Sequence, residues 1–231
     1  MKVLFAGSSL YGSSVDVSGL DVRPPARQGD ILAAVNEGAR AVGLVDGEFG
    51  QHAAVWHKEI LFALDRGVAV FGASSMGALR AAECAAFGMV PVGVIANAYL
   101  DGRLDDDAAV ALLMAPVEMG SFPMSEPLVD AEATLDRMLA LRAISIRQHA
   151  VLLQRARALH FSRRTEEAMF EGEPDALLST YRTEHVSQKR SDAELLVATL
   201  RLFDPSLPRE RPAFLLAQSP YWTGIFAGRA R

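Results

Sequence analysis

The stretch "GVAVFGASSMGALRAAECAAFG", residues 67–88, decides how this chain is built. Its first seven residues are apolar without alternation, the pattern of a strand buried on both faces. Gly72 and Gly77 then bracket Ala73, Ser74, Ser75 and Met76. An alanine-rich helical pattern follows and closes on a glycine, so the segment reads strand, sharp turn, helix. Small residues at such a turn let the backbone bend without a Cβ clash. The start of the helix offers N–H groups to a developing negative charge. One of the two serines is therefore a candidate nucleophile. Ser75 fits the elbow better, with Ala73 and Gly77 in the flanking small positions, while Ser74 reads G-x-S-x-x-G with Gly72 and Gly77. The plainer role for Ser74 is a helix N-cap worth about 1 kcal/mol.

Working outward, "KVLF" (2–5) and "AVGLVD" (41–46) read as further strands. Helical patterns lie between and after them at 29–40, 53–67 and 75–88, and carboxylates at 105–107 suit the start of another. This alternation predicts an α/β fold, a layered core of mostly parallel strands. Past about residue 120 the strand pattern stops. Apolar residues recur at helical spacing over 127–170, and two more helices are expected at 174–187 and 191–203. The tail, 204–226, is proline-broken, apolar and aromatic. The expected organisation is an α/β core over residues 1–125 and a helical C-terminal portion over 126–231 packed on it.

Half of the 231 residues are apolar, enough for a substantial core. The net charge of −5 comes without a basic stretch, so no nucleic-acid partner is expected. A single cysteine, Cys84, excludes an internal disulfide and suits a reducing, cytoplasmic setting. It cannot build a thiolate zinc site, the five histidines show no ligand spacing, and no metal or cofactor is expected. No apolar window approaches the roughly 20 residues that span a bilayer, so no membrane partner is expected. The loop "GSSLYGSS" (7–14) has the glycine spacing of a P-loop, but Ser13 stands where its lysine belongs, and phosphate chemistry loses its cation. Its N–H groups can still serve a site at the strand ends.

A serine nucleophile needs a base, and no serine–histidine–acid order stands out. Lys58 lies in a helical pattern that is apolar nearly all round, which predicts burial. Desolvation favours a neutral amine, and a neutral amine can take a proton from serine. The competing reading has Lys58 reaching water over a packed stem, or pairing with Asp46 or Asp65. Asp46 and Glu48 follow a strand and are expected at the same edge. Arg80 and Glu83 have the spacing of an i, i+3 pair.

These segments together resemble the TfuA family. The matching blocks are "GSSL" near the N-terminus, "PPARQGD" (24–30), "GLVDGEF" (43–49), "VWHKEILFALDRGVAVFGASSMGALRAAECAAFGM" (55–89), "YLDGRLDDDAAVAL" (99–112) and "SEPLVD" (125–130). The resemblance implies a partner of YcaO enzymes in backbone thioamidation of a peptide. In that role a Ser-Lys hydrolase cleaves the C-terminal thiocarboxylate of a ThiS-like sulfur carrier and releases sulfide for the YcaO site. The implied pair falls on the serine turn, Ser75 or Ser74, and on Lys58. Ser8, Asp46, His57, Gly77 and Arg80 are the expected substrate contacts. The implied partners are a YcaO enzyme, a ThiS-like carrier and a precursor peptide. The alternative is a non-catalytic adaptor that docks peptide and carrier on YcaO.

Overall fold

The structure, a computed structural model, describes residues 1–48, 52–115, 119, 122–207, 214–217 and 222. Five parallel strands form one sheet: β1 Lys2–Phe5, β2 Asp21–Arg23, β3 Ala41–Leu44, β4 Ala69–Gly72 and β5 Val90–Pro91, in the order β2-β1-β3-β4-β5. The helices around it are α1 Asp30–Asn36, α2 His57–Asp65, α3 Met76–Cys84, α4 Gly93–Leu100, α5 Leu128–Ala140, α6 Ile146–Ala158, α7 Glu166–Met169, α8 Asp175–Thr183 and α9 Gln188–Leu202. This is the α/β fold with a helical C-terminal portion that the sequence predicts. Strands β1, β3 and β4 fall on the three apolar runs. Strands β2 and β5 were not expected; at three and two residues they are too short to show a period. The carboxylates at 105–107 open only a single 3-10 turn, with Asp106 accepting from the Ala108 N–H. The helical stretch 127–170 is broken into three, the second begun by a capping box of Ser145 and Gln148.

In register, Leu44 of β3 lies opposite Phe5 of β1 on one side and Gly72 of β4 on the other. The three strands therefore end in line, and the loops after them emerge side by side. The winding reverses between β1 and β3, which opens the crevice where parallel sheets place their sites.

Successive residues face opposite layers. Val3, Phe5, Val42, Leu44 and Val70 belong to one core with Ile31, Ile60, Leu64 and Met76 from α1, α2 and α3. Leu4, Ala41, Ala69 and Phe71 belong to the other, covered by Ala193, Leu196, Val197 and Leu200 of α9. Burial of each large aliphatic side chain contributes about 2 kcal/mol. The link between β1 and β2 supplies no covering helix, only a 3-10 turn at Ser8–Leu10. Helix α9 takes that place, and Val15, Val17 and Leu20 of the link pack with it. Gly43 makes the room: a Cβ there would lie 2.6 Å from a Leu196 methyl and 3.1 Å from one of Leu200. Among the described residues no helix is long and apolar enough to cross a membrane. Of the proline-broken tail, residues 204–207, 214–217 and 222 are described; the rest of that segment lies outside the described residues.

The first turn of α3 is pressed against the end of β3. A Cβ on Gly77 would lie 1.8 Å from the Leu44 carbonyl oxygen, and one on Gly72 would lie 2.1 Å from the Gly77 oxygen. Both obstacles are backbone, which no rotamer change relieves. Gly77→Ala is expected to lower the unfolding free energy by about 3 kcal/mol in urea titrations; a loss below about 0.5 kcal/mol would contradict so close an approach.

Candidate active site

Three residues carry the chain from β4 into α3. Ser74, the middle one, has φ +68°, a left-handed conformation that side chains rarely adopt. The Ser75 N–H donates to the Ala73 carbonyl at 2.8 Å, closing a γ-turn of the rarer, strained hand. Such a residue costs about 1–3 kcal/mol and persists only where its surroundings over-determine it. Here they do: the Ala73 N–H donates to the Leu44 oxygen at 3.1 Å, and the Gly77 N–H to the Val45 oxygen at 3.0 Å. Ser75 takes the N-cap place of α3, but its hydroxyl makes no capping bond. Sequence reasoning preferred Ser75 as the elbow residue; the left-handed position falls one residue earlier. Gly72, two residues before Ser74, and Gly77, three after, set that register.

The Ser74 hydroxyl donates to Ser9 Oγ at 2.9 Å, and the Ser9 hydroxyl donates to Asp46 Oδ1 at 2.7 Å. The other carboxylate oxygen accepts from the backbone N–H groups of Gly7 and Ser9, at 2.7 and 3.1 Å. The single proton of the Ser9 hydroxyl goes to Asp46, so the bond between the two hydroxyls is donated by Ser74. All three side chains are buried, Ser74 with no exposed surface. Of the expected contacts, Asp46 and Gly77 are in this assembly. Ser8 is not: the 3-10 turn leaves it half-buried and turns its neighbour Ser9 inward.

Lys58 is the second residue of α2, and its contact among the described residues is with Trp222, not with the serine turn. The expectation of a helix buried all round is corrected. Helix α2 buries Glu59, Ile60, Ala63 and Leu64 on one face, Leu61 and Phe62 are half-buried, and His57 is exposed. Lys58 is half-buried, its Nζ 5.3 Å from the Trp222 ring centroid in a cation–π arrangement. Trp222 in turn packs on Phe62 at 5.8 Å. His57 Nε2 and Arg80 Nη1 converge on Glu83 Oε2 at 2.8 and 2.6 Å, and Arg80 Nε donates to the Val55 oxygen at 3.0 Å. Such exposed ion pairs contribute little stability, but they tie α2 to α3. The Arg80–Glu83 pair has the spacing the sequence predicted.

Other buried groups escaped the sequence reading. Glu59 accepts from the N–H groups of Gly29 and Trp56 at 2.8 and 3.3 Å, clamping the starts of α1 and α2, and burial pushes its carboxyl up. Lys189, in the first turn of α9, is buried; its Nζ donates to the Val110 oxygen at 2.8 Å. Burial pushes its ammonium down, while Asp46 and Asp130 pull it back up. Asp130 accepts from the Lys189 N–H at 2.9 Å and the Ser187 hydroxyl at 3.0 Å, and burial pushes its carboxyl up to about 6. One signal existed. Lys189 and Arg190 put two cations in a helix's first turn, where the dipole disfavours them. Arg190 lies beside the P-loop-like segment, Nη2 3.5 Å from where a Gly12 Cβ would sit, so α9 brings that loop the cation it lacks.

Fold and site define an α/β protein with a strained serine elbow at the carboxyl edge of its sheet. The family model described as TfuA-like protein matches residues 46–165, just over half the chain, and the chain belongs to that family. The match covers Asp46, His57, Lys58, Ser74, Ser75, Gly77 and Arg80; Ser9 and α9 complete the site from outside it. Comparison with curated proteins gave no match.

Two outcomes follow from this geometry. Ser74→Gly is expected to be about 1 kcal/mol more stable than Ser74→Ala, since both lose the hydroxyl but only glycine accepts φ +68° freely; equal urea midpoints would remove the strain. The carboxyl of Asp130 binds its proton more tightly folded than unfolded. Its contribution to stability is therefore full below about pH 3.8 and lost as pH rises through about 6. Asp130→Asn removes that slope. Between pH 4 and 7, urea titrations should move the difference in the variant's favour by about 2 kcal/mol.

Proposed function

We propose that this chain is a sulfur-delivery hydrolase. In this reading it cleaves the C-terminal thiocarboxylate of a ThiS-like sulfur carrier and hands sulfide to a YcaO enzyme that thioamidates a peptide, with cytoplasmic location and no cofactor. Family membership supports the setting. The observation that carries the reaction is Ser74: a left-handed residue at the strand-to-helix bend, held against the ends of β3 and β4. Nucleophile elbows present their serine this way.

The surroundings fit an acyl transfer. In the first turn of α3, the Ser75, Gly77 and Ala78 N–H groups are spent on the Ala73, Val45 and Ser75 carbonyls. Among the described residues no bond is made by the Met76 N–H, which at the positive end of the helix dipole can meet a developing oxyanion. Ser74 lies beneath the surface, so the group that reaches it must be slender, and an extended diglycine chain end is the slimmest a polypeptide offers. Hydrosulfide is a good leaving group, so its departure asks for little acid assistance.

The reaction adds water overall: thiocarboxylate and water give carboxylate, hydrosulfide and one proton. Ser74→Ala is expected to slow loss of the carrier thiocarboxylate at least 1,000-fold, on the order of the loss of an essential nucleophile, read by intact mass and by sulfide released. Ser75→Ala should keep most of the rate. If Ser74→Ala hydrolyses the carrier at the wild-type rate, Ser74 is not the nucleophile; if the wild-type chain leaves the thiocarboxylate intact and Ser74→Ala still supports thioamidation with YcaO, the chain is the adaptor and the hydrolase reading fails.

A further inference from the structure

The geometry points to Arg190, with the glycine loop after β1, as a binding site for an oxyanion, a carboxylate or a phosphate. Such a site goes beyond the hydrolysis proposed above and needs no assumption about which residue attacks. Arg190 Nε is buried and makes no hydrogen bond, the one buried side-chain nitrogen or oxygen in that state among the described residues. A guanidinium stays charged in proteins, so it has no neutral form to fall back on. Leaving such an N–H unmet costs about 1–3 kcal/mol, and an acceptor from outside the chain removes that cost.

The neighbouring acids do not supply the acceptor. Asp192 accepts from the Val94 and Ile95 N–H groups at the start of α4. Asp130 takes the Lys189 N–H and the Ser187 hydroxyl. Glu194, one turn beyond Arg190, takes the Ser13 hydroxyl at 2.6 Å. Among the described residues Arg190 forms no ion pair.

The loop beside it is open. Gly12 is left-handed, φ +71°, and a Cβ there would lie 3.5 Å from Arg190 Nη2 and 3.9 Å from Cζ. Glycine keeps that side of the guanidinium clear. Among the described residues the Gly12 and Ser14 N–H groups make no hydrogen bond, and both residues are exposed. Arg190 itself is half-buried, so an anion can approach from solvent. Nε and one Nη make a planar fork that meets two oxygens of a carboxylate or phosphate at once. The loop leaves the carboxyl end of β1, where parallel sheets bind ligands, and its Ser9 accepts from the Ser74 hydroxyl at 2.9 Å. Two sources offer the anion: the chain-end carboxylate of a carrier protein, and the phosphate of a small molecule.

The test reads Arg190 directly, by proton–nitrogen correlation spectra of the isotope-labelled full chain. The Arg190 Nε–H peak is identified by its absence from Arg190→Lys. At constant ionic strength the titrants are inorganic phosphate and a ThiS-like carrier ending in a diglycine carboxylate. Chloride and the same carrier with a C-terminal amide are the controls. A saturable shift is expected: one with the carboxylate carrier and not the amide assigns the chain end, and one with phosphate alone assigns the small molecule. By calorimetry, Arg190→Met is expected to weaken that titrant at least about tenfold, the size of a lost charge-assisted bond. Should Arg190→Met fail to unfold cooperatively, the loss is read in Arg190→Lys, which keeps the charge and lacks the fork. No shift with either titrant, a shift that the controls reproduce, or affinity unchanged in the variant overturns the site. Because the readout is binding, loss of the nucleophile reading through Ser74→Ala would leave this result standing.

Discussion

The carboxylate of Asp46 holds two loops at one depth, and the site depends on that contact. It closes the turn after β3 against the turn after β1 with two backbone bonds and one hydroxyl bond. The sheet order makes this possible: β1 and β3 are neighbours, their ends are level, and the crevice between their loops is where the winding reverses. A buried charge without partners would cost several kcal/mol, so a carboxylate with three donors is a strong local organiser. Ser9 is turned inward because its own N–H and hydroxyl both end there.

The third loop of the site obeys a different constraint, backbone crowding. Gly72 and Gly77 let α3 begin almost on top of β3 and β4, so the connection has only Ala73, Ser74 and Ser75 in which to reverse. Ser74 absorbs the mismatch in its φ angle. The strain is maintained by bonds from Ala73 and Gly77 to the Leu44 and Val45 carbonyls, at the same level as Asp46. Crowding thus places the hydroxyl, and the carboxylate gives it something to point at.

The strand–turn–helix segment was legible because each of its signals is local: an unbroken apolar run, two glycines, a run of alanines. That sufficed for β1, β3 and β4 and for the candidacy of both serines. It did not fix which serine is left-handed, since that depends on the distance from Gly77 to the Leu44 carbonyl across the sheet. Nor did it separate Ser8 from Ser9, which differ only in the sense of a three-residue turn. The apolar pattern around Lys58 misled for a related reason. Leu61 and Phe62 look like core residues by type, yet they form a half-buried flank that receives Trp222 from far along the chain. Lys189 and Asp130 were invisible as a pair because they lie 59 positions apart and meet only in the tertiary fold.

Helix α9 stands in the layer that a crossover helix after β1 would ordinarily fill, so one face of the first strands waits for residues 188–202. Synthesis proceeds from the amino end, and a strand pair whose cover lies so far downstream is a high-contact-order element. The turn bearing Ser9 rests on that same helix through Ser13 and Glu194, 2.6 Å apart. The wall behind the Ser74 hydroxyl is therefore finished late: a nascent or clipped chain carries the bend but lacks the helix that backs the Ser9 loop.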